Sequence, residues 1–267
     1  MIDSVSICYE KSRVSGFGHY YRSKVLKEFF KSLEIKIQFF ERKNIDKFRP
    51  SNILYCDFLT YNLSKYEKDS LLKFKYLISL EAYDSNINFD DNIFIFDKSF
   101  KTNNELNLLN ALIRSSLEFS EPICSKEQFI ILGLSGASSG SRYKNIIENI
   151  RLKGFAGQLV VLSNKNLQLN LSNVKIHIRP KNVDSLLSSC SGAICDPGLI
   201  MLELLALKKN VYGVSNQFNH DTFLRYLINK KWVLPFDKID DLKSKCMKNP
   251  IDFQGAKRIW ERTLKVV

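Results

Sequence analysis

A glycine-rich turn carrying a histidine and an arginine offers the first chemistry in this chain. Gly16-Phe17-Gly18-His19-Tyr20-Tyr21-Arg22 follows a short apolar run from Val5 to Tyr9. It precedes Val25, Leu26, Phe29, Phe30 and Leu33, whose spacing is that of an amphipathic helix. The motif therefore sits where a strand hands over to a helix. Gly16 and Gly18 carry no Cβ, so a ligand can approach the backbone. The N–H groups and dipole of a helix start attract oxyanions. An imidazole with its ordinary pKa near ~6.5 can take a proton from water at neutral pH, which makes His19 a candidate general base. Arg22 lies one turn further along the same helical face. The chain holds 3 histidines. His177 falls inside a strand-like run and reads as a packed or surface residue, while His220 falls near a helix start.

A second constellation lies further on. Gly133-Leu-Ser135-Gly136-Ala-Ser-Ser-Gly140 offers glycines, hydroxyls and N–H groups in the manner of a phosphate cradle, with Ser135 and Gly136 at its centre. No Gly-Lys-Ser/Thr follows, so it is not a Walker A loop. Downstream, Asp196-Pro197-Gly198 opens an apolar helix whose single acidic residue is Glu203. A carboxylate there needs partners. Either a basic side chain pairs with it, or it accepts two hydrogen bonds from a ribose diol.

These residues need elements to position them. Predicted strands cover Val5–Tyr9, 34–40, 51–56, 76–80, 92–96, 128–133, 158–162, 174–178, 192–195 and 210–214. Predicted helices follow the first glycine motif and cover 64–74 (Ser64 and Glu67 forming a capping box), 103–119, 142–153, 183–189, 199–207, 220–230, 238–247 and 253–265. Strands alternating with helices imply parallel, doubly wound sheets, whose ligands bind at the carboxyl ends of the strands. His19, Asp57, Glu81, Ser135 and Asp196 all fall there. A Pro122-bearing stretch, 119–127, reads as a linker. Two domains are expected, 1–120 and 127–267, with the last helix able to pack back on the first. The cleft between two such domains is the expected site.

Composition narrows the partners. With 267 residues, 45% hydrophobic and 12% aromatic, the chain can build a packed core. A net charge of +12 favours an anionic partner such as a nucleotide or an anionic membrane surface. Lysines and aromatics are scattered, which speaks against sequence-specific nucleic-acid binding. The 6 cysteines include no C-x-x-C pair, so no metal site is expected from them. No signal peptide or transmembrane run is read, and a reducing cytoplasm is the expected compartment. Oligomeric state is not legible.

With these residues in view, the chain resembles GT-B-fold nucleotide-sugar enzymes. The resemblance rests on Gly16, Gly18, His19 and Arg22, on the 133–140 loop, and on Gly198 with Glu203-Leu-Leu-Ala-Leu. It is nearest to the UDP-sugar hydrolase of pseudaminic acid biosynthesis and more distantly similar to the UDP-GlcNAc transferase of peptidoglycan synthesis. The resemblance implies an α/β GT-B-like fold, two Rossmann-type domains facing across a cleft. It implies that His19 activates water for attack at the anomeric carbon of a UDP-sugar, with Asp57 and Tyr61 as further catalytic candidates. Gly16, Gly18 and Arg22 would then meet the sugar-phosphate, Ser135 and Gly136 the diphosphate, and Gly198 and Glu203 the nucleoside. No cofactor and no metal are implied, because helix N-termini carry the diphosphate charge. Three places depart from the family: Cys8-Tyr9-Glu10-Lys11-Ser12 replaces Arg-x-Asp-x-Ser, Asp57 to Tyr61 stretches an Asp-x-Tyr, and Gly198-Leu199-Ile200 replaces Gly-Ser-Thr. A glycosyltransferase, with peripheral membrane contact through its positive charge, or a nucleotide-sugar-binding protein is the alternative.

Overall fold

The computed structural model describes residues 2–11, 18–58, 63–80, 87–93, 110–120, 129–134, 138–169, 171–215, 218–239, 246 and 248–267. The chain forms two compact units, residues 1–113 with 252–267 and residues 114–251.

In the first unit, strands β1 (Ser4–Tyr9), β2 (Lys36–Glu41), β3 (Ile53–Asp57), β4 (Tyr76–Ser79) and β5 (Asp91–Asn92) form one sheet, in the order β2-β1-β3-β4-β5. Every pairing in it is parallel. Helix α1 (Gly18–Ser32) crosses from β1 to β2, and α2 (Lys65–Leu71) from β3 to β4. The Ser64 capping box is formed: its side chain accepts from the Glu67 N–H, and Glu67 accepts from the Ser64 N–H. β3 is buried throughout, as a central parallel strand must be. α1 covers it with Leu26 and Phe30, and the Phe30 and Tyr55 rings lie 5.3 Å apart.

The second unit holds β6 (Phe129–Gly133), β7 (Gln158–Ser163), β8 (Val174–Ile178), β9 (Gly192–Cys195), β10 (Asn210–Gly213) and β11 (Leu234–Pro235) in the order β11-β10-β9-β6-β7-β8. These pairings are parallel too. Its helices are α3 (Gly140–Leu152), α4 (Val183–Ser189), α5 (Leu199–Ala206) and α6 (Phe218–Asn229). α7 (Gly255–Thr263) belongs to the first unit, where its Thr263 accepts a hydrogen bond from Tyr55 at 2.9 Å.

The helix predicted over 103–119 is corrected in its described part. Residues 110–114 carry no helix and Ser115–Leu117 form one 3₁₀ turn. Its run of leucines, alanine and isoleucine matched a helical stripe, yet Ala111, Leu112 and Ile113 are buried together as a consecutive run. Most of the helix predicted over 238–247 lies outside the described residues. No described helix is long and apolar enough to cross a membrane.

Candidate functional site

Parallel sheets bind ligands where the strand order reverses, because the two connections diverge there and leave a crevice. In the first unit β1 continues to β2 on one side while β3 lies on the other, so the reversal falls between β1 and β3. Asp57 ends β3 at that point. Alternation along a strand puts Asp57 on the same face as Tyr55, the face that packs on α1. On α1, His19, Arg22 and Ser23 share one stripe with Leu26 and Phe30, by the i, i+3, i+4 rule. The polar start of this stripe meets Asp57 and its apolar continuation packs on Tyr55.

The result is a buried polar cluster. Asp57 is fully buried, and His19, Arg22 and Ser23 are buried beside it. Asp57 Oδ1 lies 2.8 Å from His19 Nδ1 and accepts from Arg22 Nη2 at 2.5 Å. Oδ2 accepts from Ser23 Oγ at 2.9 Å and from Arg22 Nε at 3.5 Å. Burial alone would raise the Asp57 carboxyl, but the Arg22 charge and the His19 hydrogen bond outweigh it, and the net shift is downward. Arg22 Nη2 also comes within 2.9 Å of His19 Nδ1. The two contacts to Nδ1 call for opposite tautomers, since a carboxylate only accepts and a guanidinium only donates. An ionised Asp57 is the stronger claimant on an Nδ1 proton. That tautomer puts the imidazole lone pair on Nε2.

Gly18 is the first residue of α1, and a Cβ there would meet nothing within 4 Å. Gly16 and Tyr61 lie outside the described residues, as do Ser135 and Gly136.

In the second unit the reversal falls between β6 and β9. Gly198 caps α5 in an extended backbone conformation. Gly133 is explained by packing: a Cβ there would meet Ile200 Cγ2 at 3.3 Å and Cys195 Sγ at 3.4 Å. Asp196, just past β9, is held by a fork from Arg142 in the first turn of α3, at 2.6 and 2.5 Å, and Arg142 also donates to Ser138 Oγ at 2.7 Å. Glu203 is fully buried on α5. Both its oxygens accept from Arg114, Oε1 from Nε at 2.6 Å and Oε2 from Nη2 at 2.8 Å. Of the two readings of Glu203, the ion pair is the one seen. Arg114 Nη1 lies 2.5 Å from Asp184 Oδ1, so one guanidinium serves two carboxylates. Burial raises the Glu203 carboxyl; Arg114 opposes this, the charge of Asp184 adds to it, and the net shift is upward.

Sequence reasoning missed Ser23, Arg142 and Arg114. Ser23 carried a signal, being four residues from His19 on the same helical face. Arg142 stood at the predicted helix start beside the glycine/serine loop. Arg114 could not have been matched to Glu203, because a buried acid demands a cation without saying which. Among the described residues, no group of three or more His, Cys, Asp or Glu is placed to hold a metal ion.

No protein-family model matches the chain, and no curated protein matches it significantly. Solved structures do. A UDP-GlcNAc 2-epimerase from Neisseria meningitidis, bound to UDP-GlcNAc, aligns at TM-score 0.56 and 11% identity, over 98% of this chain and 100% of its own. MnaA from S. aureus, in a structure with UDP, aligns at 0.54 and 12%, over 100% and 98%. The glycosyltransferase SnogD from Streptomyces nogalater aligns at 0.53 and 9%, over 99% and 96%. At these identities the likeness is one of fold, and the fold, two parallel sheets flanked by helices, is of the GT-B type.

Proposed function

We propose that the chain is an enzyme acting on a UDP-sugar, and that it releases the sugar by hydrolysis. The observation that carries this reading is the buried His19–Asp57 pair at the strand-order reversal of the first sheet. With Nδ1–H donated to Asp57, Nε2 takes a proton from water. The water oxygen attacks the anomeric carbon, the bond from that carbon to the phosphate oxygen breaks, and UDP leaves with the electron pair. Asp57 acts through His19 by fixing its tautomer and its ring, as the acid of a catalytic triad does. Arg22 holds Asp57 ionised.

Gly16 and Gly18 give the sugar-phosphate access to the backbone, Ser135 and Gly136 hold the diphosphate, and Glu203 takes the ribose. Tyr61 is a further candidate at the sugar. Support for a UDP-sugar comes from the two solved structures that carry UDP-GlcNAc and UDP on the same fold. The sugar we infer is a diacetamido-trideoxyhexose, after the pseudaminic acid hydrolase that the sequence resembles. A cytoplasmic site of action belongs to the same reading; contact with the membrane surface belongs to the glycosyltransferase alternative.

The test is UDP release from a panel of UDP-sugars, UDP-linked diacetamido-trideoxyhexoses among them, with no acceptor present. Release by the native chain, lost in His19→Ala, is the expected result. Saturable UDP binding without release would overturn hydrolysis and favour a glycosyltransferase awaiting its acceptor.

A further inference from the structure

The Glu203 carboxylate is occupied in a particular way. It accepts two parallel hydrogen bonds from the Nε and Nη2 of Arg114. A ribose 2′,3′-diol presents two hydroxyl donors to a carboxylate in the same side-by-side manner. Arg114 is also the more exposed partner, its side chain 26% accessible against 1% for Glu203, so the guanidinium stands between the carboxylate and water.

A second resting place for that guanidinium is already built. Asp184 Oδ1 is buried and lies at the 2.5 Å ion-pair distance from Arg114 Nη1 without a hydrogen bond. Asp184 Oδ2 accepts from Ser116 Oγ at 2.5 Å, which fixes the carboxylate. Two carboxylates share one guanidinium: its Nε and Nη2 serve Glu203, while its Nη1 faces Asp184 Oδ1 without completing a hydrogen bond. A ligand that brings two hydroxyl donors to Glu203 frees the guanidinium fork to turn to Asp184.

We propose that Arg114 is a built-in competitor of the ribose: guanidinium and diol alternate on Glu203, and Asp184 receives Arg114 when the nucleotide is bound. This rests on the reading of Glu203 as the ribose acceptor. It makes Arg114 a positioning residue whose pairing lowers nucleotide affinity, because only the fraction of molecules with Glu203 released can bind.

Calorimetry with UDP and with 2′-deoxy-UDP tests it, on the full chain and on Arg114→Gln, Arg114→Lys and Glu203→Gln. Arg114→Gln is expected to bind UDP about tenfold more tightly, and Arg114→Lys to gain less, since an ammonium holds the carboxylate without the fork. The gain is expected to vanish for 2′-deoxy-UDP, which has no diol. A merely structural arginine would change both nucleotides together. If Arg114→Gln does not fold, Arg114→Lys carries the same contrast. UDP affinity that falls or stays level in the arginine variants, while Glu203→Gln weakens it, overturns the alternation and leaves the ribose reading standing. UDP affinity indifferent to Glu203→Gln overturns the ribose reading and the alternation with it.

Discussion

Among the described residues two carboxylates are fully buried and each is held by an arginine, yet they are pushed in opposite directions. Asp57 is lowered and Glu203 is raised. Burial is the same for both, so burial does not decide. The partners do. Asp57 draws hydrogen bonds from Arg22, His19 and Ser23. Glu203 draws on Arg114, and Arg114 also faces Asp184. A buried acid keeps its charge when the donors around it outnumber its rivals for them. The first arrangement makes an anchor for an imidazole whose charge is favoured by its neighbours. The second makes a carboxylate that gains from a further pair of donors.

The largest effect that would break this contrast comes from neutralising each acid. Asp57→Asn strands the buried Arg22 and is expected to destabilise the protein by about 3–5 kcal/mol in chemical denaturation. Glu203→Gln leaves Arg114 with Asp184 and is expected to cost about 1 kcal/mol or less. Equal losses would remove the distinction.

The pH dependence sharpens it. Asp57 is lowered in the folded state, so its contribution is present above the ordinary Asp value near ~3.9 and is lost as pH falls through the lowered value. Glu203 is raised, so the folded protein binds the extra proton. Its ionisation therefore erodes stability as pH rises from the ordinary Glu value near ~4.3 through the raised one, and is level above it. Denaturation midpoints against pH are expected to show the gap between native and Asp57→Asn closing in acid. Over the higher window, Glu203→Gln is expected to gain on the native chain as pH rises.

The smallest expected effect comes from Ser23→Ala. It removes one of the donors that set Asp57 apart, with a loss of about 1–2 kcal/mol and a rise in the acid midpoint.

The sequence disclosed much of this, and unevenly. Strand alternation and the 3.6-residue stripe were enough to place Asp57 at a strand end and His19 with Arg22 on one helical face. They also placed Gly198 at the start of the apolar helix that carries Glu203. Ion-pair partners were harder to read. Arg114 directly follows a consecutive buried run, Ala111 to Ile113, that imitates a helix by composition, and its pairing spans a long stretch of chain that no local pattern encodes. Gly133, read from the sequence as part of a phosphate cradle, also has a packing reason against Ile200, because an empty Cβ serves close packing as well as ligand approach.

The central claim is that Asp57 acts on the reaction through His19. Steady-state UDP release by Asp57→Asn, set beside the native chain, tests it most directly. The account predicts a fall in kcat of about 10²–10⁴-fold with KM nearly unchanged, because the proton-taking nitrogen is misassigned while the substrate contacts remain. A native kcat in a folded Asp57→Asn would contradict it.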